Sequence, residues 1–431
     1  MASSSNDDGT IDWAGKVLKI TTAADAAPII ESIQQHPNAT SLVLSGNTFG
    51  VEACGAIGEA LLHHAHHLRS ANLSDIFTTR LKTDVPPSIA SFTRAFTAIK
   101  TLEELNLSDN ALGKDGVAAF TSLFDTNPAL KHVLINNCGL GSRGGIVLAR
   151  SLVSSQGHLD HAAIRALIPS LDAEEDEQDE QAAQHSDSAS ASASASCAAD
   201  QAAPRSLIQL ETLVAGRNRL ENIGATALGH ALQHVTSITR LEIPQNGIQP
   251  PGIVALCAGL AKNPSLQVLN LNDNTIKTDG AHALAAALLS LPHLRKLNLG
   301  DCMLGSEGVR IIAKALANSS AGATTELEEL DLSYCDIDDD AARAVAKAVR
   351  QQPRLVRLEL NGNLIKTDGL TAISDAIKSL GKDDVLGSMS ENENSDDDGD
   401  DDDDDDNDGD DDDDEDVKKA TSKMAELSVA K

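Results

Sequence analysis

Aromatic residues are nearly absent: the 431 residues include one Trp, one Tyr and six Phe. A core must then be built from Leu, Ala, Ile and Val. Length alone suggests two or three globular domains. A repeat array can run as long in one elongated domain, because each unit packs only on its neighbours. The six cysteines form no CxxC and no regular pairing, so they read as free thiols of a reducing compartment. No G-x-x-x-x-G-K-[ST], G-x-S-x-G or H-E-x-x-H occurs, which leaves no signature for a P-loop nucleotide site, a serine-hydrolase elbow or a zinc protease. No apolar run approaches the roughly 18 residues that span a bilayer. The start, MASSSNDDGT, lacks the basic and apolar regions of a signal peptide. These absences predict cytosolic or nuclear residence with free thiols, no membrane association and no cofactor of its own.

Basic charge is scarce in two places. Residues 171–187 hold eight acidic side chains and residues 391–416 hold 20, with no Lys or Arg in either. These two segments account for nearly all of the net charge of −31, so the rest of the chain is close to neutral. Dense like charge with few apolar residues cannot offset the entropy of ordering. Both segments therefore read as disordered, nucleic acid is disfavoured as a partner, and a basic protein surface is allowed.

What recurs is L-x-x-L-x-L-x-x-N. It is clear in LEELNLSDN (102–110), LQVLNLNDN (266–274) and LVRLELNGN (355–363), and it varies elsewhere. The ninth residue falls at 47, 76, 110, 138, 218, 246, 274, 302, 335 and 363, and five of the nine gaps are 28 residues. That length is within the roughly 20–29 of leucine-rich repeats. In L-x-L the leucines share one face of a short strand. The Asn sits at the turn, where its amide can pair backbone groups that would otherwise be buried and unsatisfied. A helical apolar spacing follows, as in GAHALAAALLSL (280–291).

The predicted fold is an α/β leucine-rich-repeat horseshoe: a right-handed β–α solenoid with a parallel inner sheet and outer helices. Its domain covers 11–384, with a cap over 11–38. A disordered insert over about 171–204 supplies most of the excess in the 80-residue gap between the fourth and fifth units. Residues 1–10 and the acidic tail 385–431 lie outside the fold. Cys138, Cys302 and Cys335 occupy the Asn position and read as buried structural thiols. The HHAHH run (63–67) has metal-ligand spacing, but it reads better as the solvated face of the second unit's helix.

Two departures stand out. In SDIFTTRLKTDVPPSI (74–89), Ile76 replaces the ladder Asn, and a polar loop with Asp75, Arg80, Lys82 and Asp84 replaces the short turn. Insertions of this kind fall on the loop face, which is often the binding face. In INNCGLG (135–141), Asn137 directly precedes the ladder position and should point away from the core. Spacing alone would make it an ordinary surface Asn.

Together, SDIFTTRLKTDVPP, INNCGLGSRGG (135–145), AGRNRLENIGATAL (215–228), PQNGIQPPGI (244–253), LNDNTIKTDGA (271–281) and the acidic tail closely resemble the GTPase-activating proteins for Ran. The resemblance runs from about residue 12 to 416. It implies a crescent that binds Ran in its GTP form through loops on one rim, together with a Ran-binding protein. It would act as a monomer on the GTP and Mg held by Ran. It implies that Arg80 is required, leaving open whether it is catalytic or structural, and that Asn137 positions Ran's own glutamine. Asp75, Lys82, Arg217, Gln245 and Asp273, at loop edges, would be partner contacts. Thr79 departs from the family, where Gly is frequent. The targeting domains of animal and plant relatives are not in this sequence, so a cytoplasmic protein without pore anchoring is expected. The rival reading is an acidic leucine-rich nuclear phosphoprotein, acting as histone chaperone or phosphatase inhibitor. Its repeats are shorter and lack SDIFTxR.

Overall fold

The computed structural model describes residues 9–155, 208–318, 326–382 and 384–392. Every one of the ten repeat units forms a three-residue strand at its L-x-L core: Ser41–Val43, Ser70–Asn72, Glu104–Asn106, His132–Leu134, Thr212–Val214, Arg240–Glu242, Val268–Asn270, Lys296–Asn298, Glu329–Asp331 and Arg357–Glu359. With Thr10–Asp12 in front they make one 11-stranded sheet, all parallel and in chain order. The middle residue of each strand is buried and its flanks are at least partly exposed at most positions. This follows from the period of two.

Parallel neighbours require a crossover, and helices supply it. Among the described residues these are Ala27–Gln35, Val51–His64, Val85–Ala98, Gly113–Phe120 with Leu123–Thr126, Gly141–Ser155, Glu221–Leu232, Pro250–Leu260, Lys277–Leu288, Gly305–Ala317, Asp339–Val349 and Thr367–Ser379. The 280–291 helix stops at Leu288 instead of Leu291. Pro292 disfavours helical backbone just before it. The core between sheet and helices is almost wholly aliphatic, with Phe49, Phe92, Phe96, Phe120 and Phe124 filling the N-terminal layers.

Strands His132–Leu134 and Thr212–Val214 pair directly, in register from His132↔Thr212. The 80-residue gap therefore leaves the stack unbroken. The predicted insert (171–204) lies outside the described residues, as do residues 1–8 and everything from 393 onward.

Both ends differ from the sequence boundaries. The first strand begins at Thr10, paired with Ser41, so the fold starts inside the stretch 1–10. At the other end it extends past 384. Val385 is buried, Leu386 bridges Leu358, and Asn392 Oδ1 accepts from Asn363 N at 2.9 Å. Residues 385–392 are a degenerate last half-repeat that covers the open edge of the tenth unit. Acidic composition close by concealed them.

Candidate functional site

The ladder side chains bind as expected. Asn110 Nδ2 donates to Leu73 O at 2.8 Å and Leu107 O at 2.9 Å, and its Oδ1 accepts from Ile76 N at 2.9 Å. One amide thus ties two units together, which explains the tolerance of Ile76: its neighbour pairs the backbone that Ile cannot. Where Cys stands in the ladder, the thiol is the donor. Cys138 Sγ lies 3.2 Å from Leu107 O, Cys302 Sγ 3.2 Å from Leu271 O and Cys335 Sγ 3.3 Å from Leu299 O.

Burial raises the thiol pKa of Cys54, Cys138, Cys257 and Cys335 to about 12 and pushes that of Cys302 up as well. The thiolate is the nucleophile, so these five thiols should resist alkylation at pH 8. Iodoacetamide treatment followed by peptide mapping is expected to label them only after denaturation. Labelling of Cys138 in the native protein would contradict its structural role.

Holding the ladder residue inward imposes a geometry on the residue before it. Asp75, Asp109, Asn137, Arg217, Gln245, Asp273, Asp301 and Tyr334 all have φ between 49° and 60°, and Gly46 and Gly362 complete the row at 70° and 67°. Left-handed backbone costs roughly 1–2 kcal/mol for most residues. Here each N–H is repaid by a carbonyl of the next unit: Asp75 to Ser108, Asn137 to Gly216, Arg217 to Pro244, Gln245 to Asn272 and Asp273 to Gly300, at 2.8–3.0 Å. The side chains consequently stand in one file along the rim where strands turn into helices.

They also bond to one another. Asn137 Nδ2 donates to Asp109 Oδ1 at 3.0 Å, Arg217 Nε donates to Gln245 Oε1, and Gln245 Nε2 donates to Asp273 Oδ2 at 2.7 Å. Asn137 itself is exposed. Since a carboxylate only accepts, Asp109 fixes which way the Asn137 amide faces: NH2 toward Asp109, with Oδ1 directed away from it.

Five sequence candidates, Asp75, Asn137, Arg217, Gln245 and Asp273, therefore share one structural position. Lys82 does not share it. It lies in the one-turn 3-10 helix Lys82–Asp84, and its Cε is 3.5 Å from where a Gly113 side chain would begin. Asp109 and Asp301 belong to the row but were missed. The available signal was their place one residue before the ladder.

Arg80 faces inward. Its Nη2 donates to Ile20 O at 3.3 Å, Thr21 Oγ1 at 3.1 Å and Thr48 O at 3.1 Å. Ile20 and Thr48 belong to the two-stranded sheet Lys19–Ile20 with Thr48–Phe49, so the guanidinium fastens the 74–84 loop to the cap and first unit. Thr78 Oγ1 donates to Asp75 and Thr48 Oγ1 to Thr78 O, which completes the tether. Thr79 has φ 69°, a conformation hard for a β-branched residue and free for Gly. Thr79→Gly is expected to stabilise the protein by about 0.5–1 kcal/mol in denaturant unfolding, the relieved strain exceeding the added chain entropy. Destabilisation would mean that the Thr79 side chain makes a compensating contact.

Of the HHAHH run only His63 and His64 are helical, and they end Val51–His64, the helix of the first unit and not of the second. His63 sits 3.7 Å from Glu59, one turn earlier. Among the described residues no group of three or more His, Cys, Asp and Glu could hold a metal ion.

A leucine-rich-repeat family model matches residues 98–120, 262–285, 290–313 and 325–346. Ran GTPase-activating protein 1 of Xenopus laevis is 44 % identical over 388 residues, covering 89 % of this chain and 59 % of the relative. The Ran GTPase-activating protein of Drosophila melanogaster is 29 % identical over 58 % of this chain and 35 % of its own length. For Ran GTPase-activating protein 1 of Saccharomyces cerevisiae the values are 28 %, 55 % and 49 %. The chain thus spans about three fifths of the Xenopus relative and half or less of the other two. It has the leucine-rich-repeat fold, and the relatives it resembles in sequence are Ran GTPase-activating proteins.

Proposed function

We propose that this chain accelerates GTP hydrolysis by the small GTPase Ran, docking on Ran·GTP through the left-handed rim and leaving GTP and Mg in Ran's own site. The observation that carries the reading is the 44 % identity, over 388 residues, to a protein named for this activity. The rim supports it physically. Phosphoryl transfer needs positioning and charge stabilisation rather than covalent help from the protein. Asn137 offers an outward amide oxygen, held in orientation by Asp109. That oxygen suits the carboxamide N–H of a glutamine on the GTPase, whose own oxygen then aligns the attacking water.

Arg80 acts in this scheme as a positioning residue, presenting the loop that carries Asp75 and Lys82. Arg217, Gln245 and Asp273 supply contacts further along the rim. The protein works as a cytoplasmic monomer on the Ran cycle of nuclear transport, alongside a Ran-binding protein.

Single-turnover hydrolysis on Ran·GTP at fixed salt tests this. Strong acceleration over Ran's intrinsic rate is expected, and Arg80→Ala should mainly weaken affinity, because the loop loses its tether. No acceleration by the wild type would overturn the reading. Histone binding without an effect on Ran would point to the acidic chaperone instead.

A further inference from the structure

Beyond Asp273 the rim continues into residues to which no role has been given. Gln245, Asp273, Thr275, Asp301 and Met303 line a cavity of about 250 Å³. This is below the roughly 300–1,000 Å³ of ligand pockets and is of a size for one long side chain. Asp273 and Asp301 occupy the same left-handed position in consecutive units, with φ 54° and 53°. Their strands, Val268–Asn270 and Lys296–Asn298, pair directly, so the two backbones stand about 4.8 Å apart. Among the described residues neither carboxylate forms an ion pair. Asp273 is held on one side by Gln245. Met303, also left-handed at φ 50°, is 61 % exposed at the cavity mouth. Two neighbouring carboxylates without an ion-pair partner, with a flexible thioether beside them, match the donors and the flat face of a planar cation.

We propose that this cavity receives a single arginine side chain from the GTPase, which makes Asp301 and Met303 contact residues. The guanidinium would lie between the Asp273 and Asp301 carboxylates, its fork of N–H donors serving both at once. The polarisable sulfur of Met303 would pack on its face or stem. A lysine has one compact charge and could serve both carboxylates less well. The cavity is continuous with the file of Asn137, Arg217 and Gln245, so a partner seated there reaches it without a second binding event. This inference rests on the GTPase-activating reading and extends its contact surface by one unit.

Affinity and rate should be measured separately on the full chain. Binding is read by titration against Ran loaded with a non-hydrolysable GTP analogue, and rate by single-turnover hydrolysis at saturating activator. Asp301→Asn keeps the size and tolerates the left-handed backbone, so it should fold. It is expected to weaken binding about 5–20-fold at low salt, with the gap narrowing as salt rises, while the saturated rate stays within about twofold. Met303→Ser should weaken binding less and without the salt dependence. An alanine scan of the exposed arginines of the GTPase should find one whose loss adds nothing in the Asp301→Asn background.

If the wild type binds and accelerates but Asp301→Asn binds equally well, or no such arginine is found, the inference falls and the functional reading stands. If the wild type does not bind the GTPase at all, both fall together.

Discussion

Asn137→Ala is expected to lower the single-turnover rate on Ran·GTP by at least about 100-fold, the scale of removing one well-placed polar group from a transition state. The effect should sit in the rate at saturation, with affinity changed far less, because the rest of the rim is untouched. Alanine at φ 51° is itself strained, so Asn137→Gly is the cleaner partner variant. It removes the same amide and leaves the backbone at ease. Both should be equally impaired. Asn137→Asp should fail too, for a different reason: a second carboxylate next to Asp109 cannot donate where the amide does at 3.0 Å, and the two charges repel. A rate for Asn137→Gly within about threefold of wild type would move the positioning role elsewhere, with Gln245 and Arg217 next in line.

The second large effect is on stability. Asn110→Ala should destabilise the N-terminal units by about 3–4 kcal/mol, since a buried group left unpaired costs about 1–3 kcal/mol. Asn110 is 1 % exposed and serves Leu73 O, Leu107 O, Ser108 O and Ile76 N. Its removal strips partners from two units at once and frees Ile76 near the start of the Arg80 loop, so affinity for Ran should fall along with stability. Asn110→Cys should recover at least about 1 kcal/mol of that loss, because a thiol in the ladder can still donate to one carbonyl. Equal losses for Ala and Cys in denaturant unfolding would show that the Oδ1···H–N bond to Ile76 dominates instead.

Much of this was legible in the leucine pattern, because burial is what that pattern encodes. Each L-x-L became a strand, and each ladder residue turned inward. Ile76 in the ladder could not be interpreted from its own unit, since the partner that rescues it is Asn110, 34 residues on. The rim was harder still. Asp, Asn, Arg, Gln, Tyr and Gly share the left-handed position, and no composition signal unites them, because the backbone bonds of the stack impose the conformation. Only Gly46 and Gly362 at that position hinted at it. Lys82 read as equivalent on polarity and proved to lie past the turn. The end of the fold was hidden because Asn392 sits at the edge of an acidic run. The resemblance identified Arg80 as important, and it took geometry to show the side chain facing the cap.

One consequence of the shared left-handed position concerns how such a surface changes over time. Because the stack fixes the conformation and the side chain merely occupies it, swapping one residue for another there alters what the surface recognises at little expense to folding. The file works as a ruler with a mark about every 4.8 Å. Gain or loss of one whole unit would shift every later mark by one division relative to a bound partner. Substitution along the file is thus a cheap route to new specificity, while duplication or deletion of a unit between Asn137 and Asp273 would erase the old one in a single step.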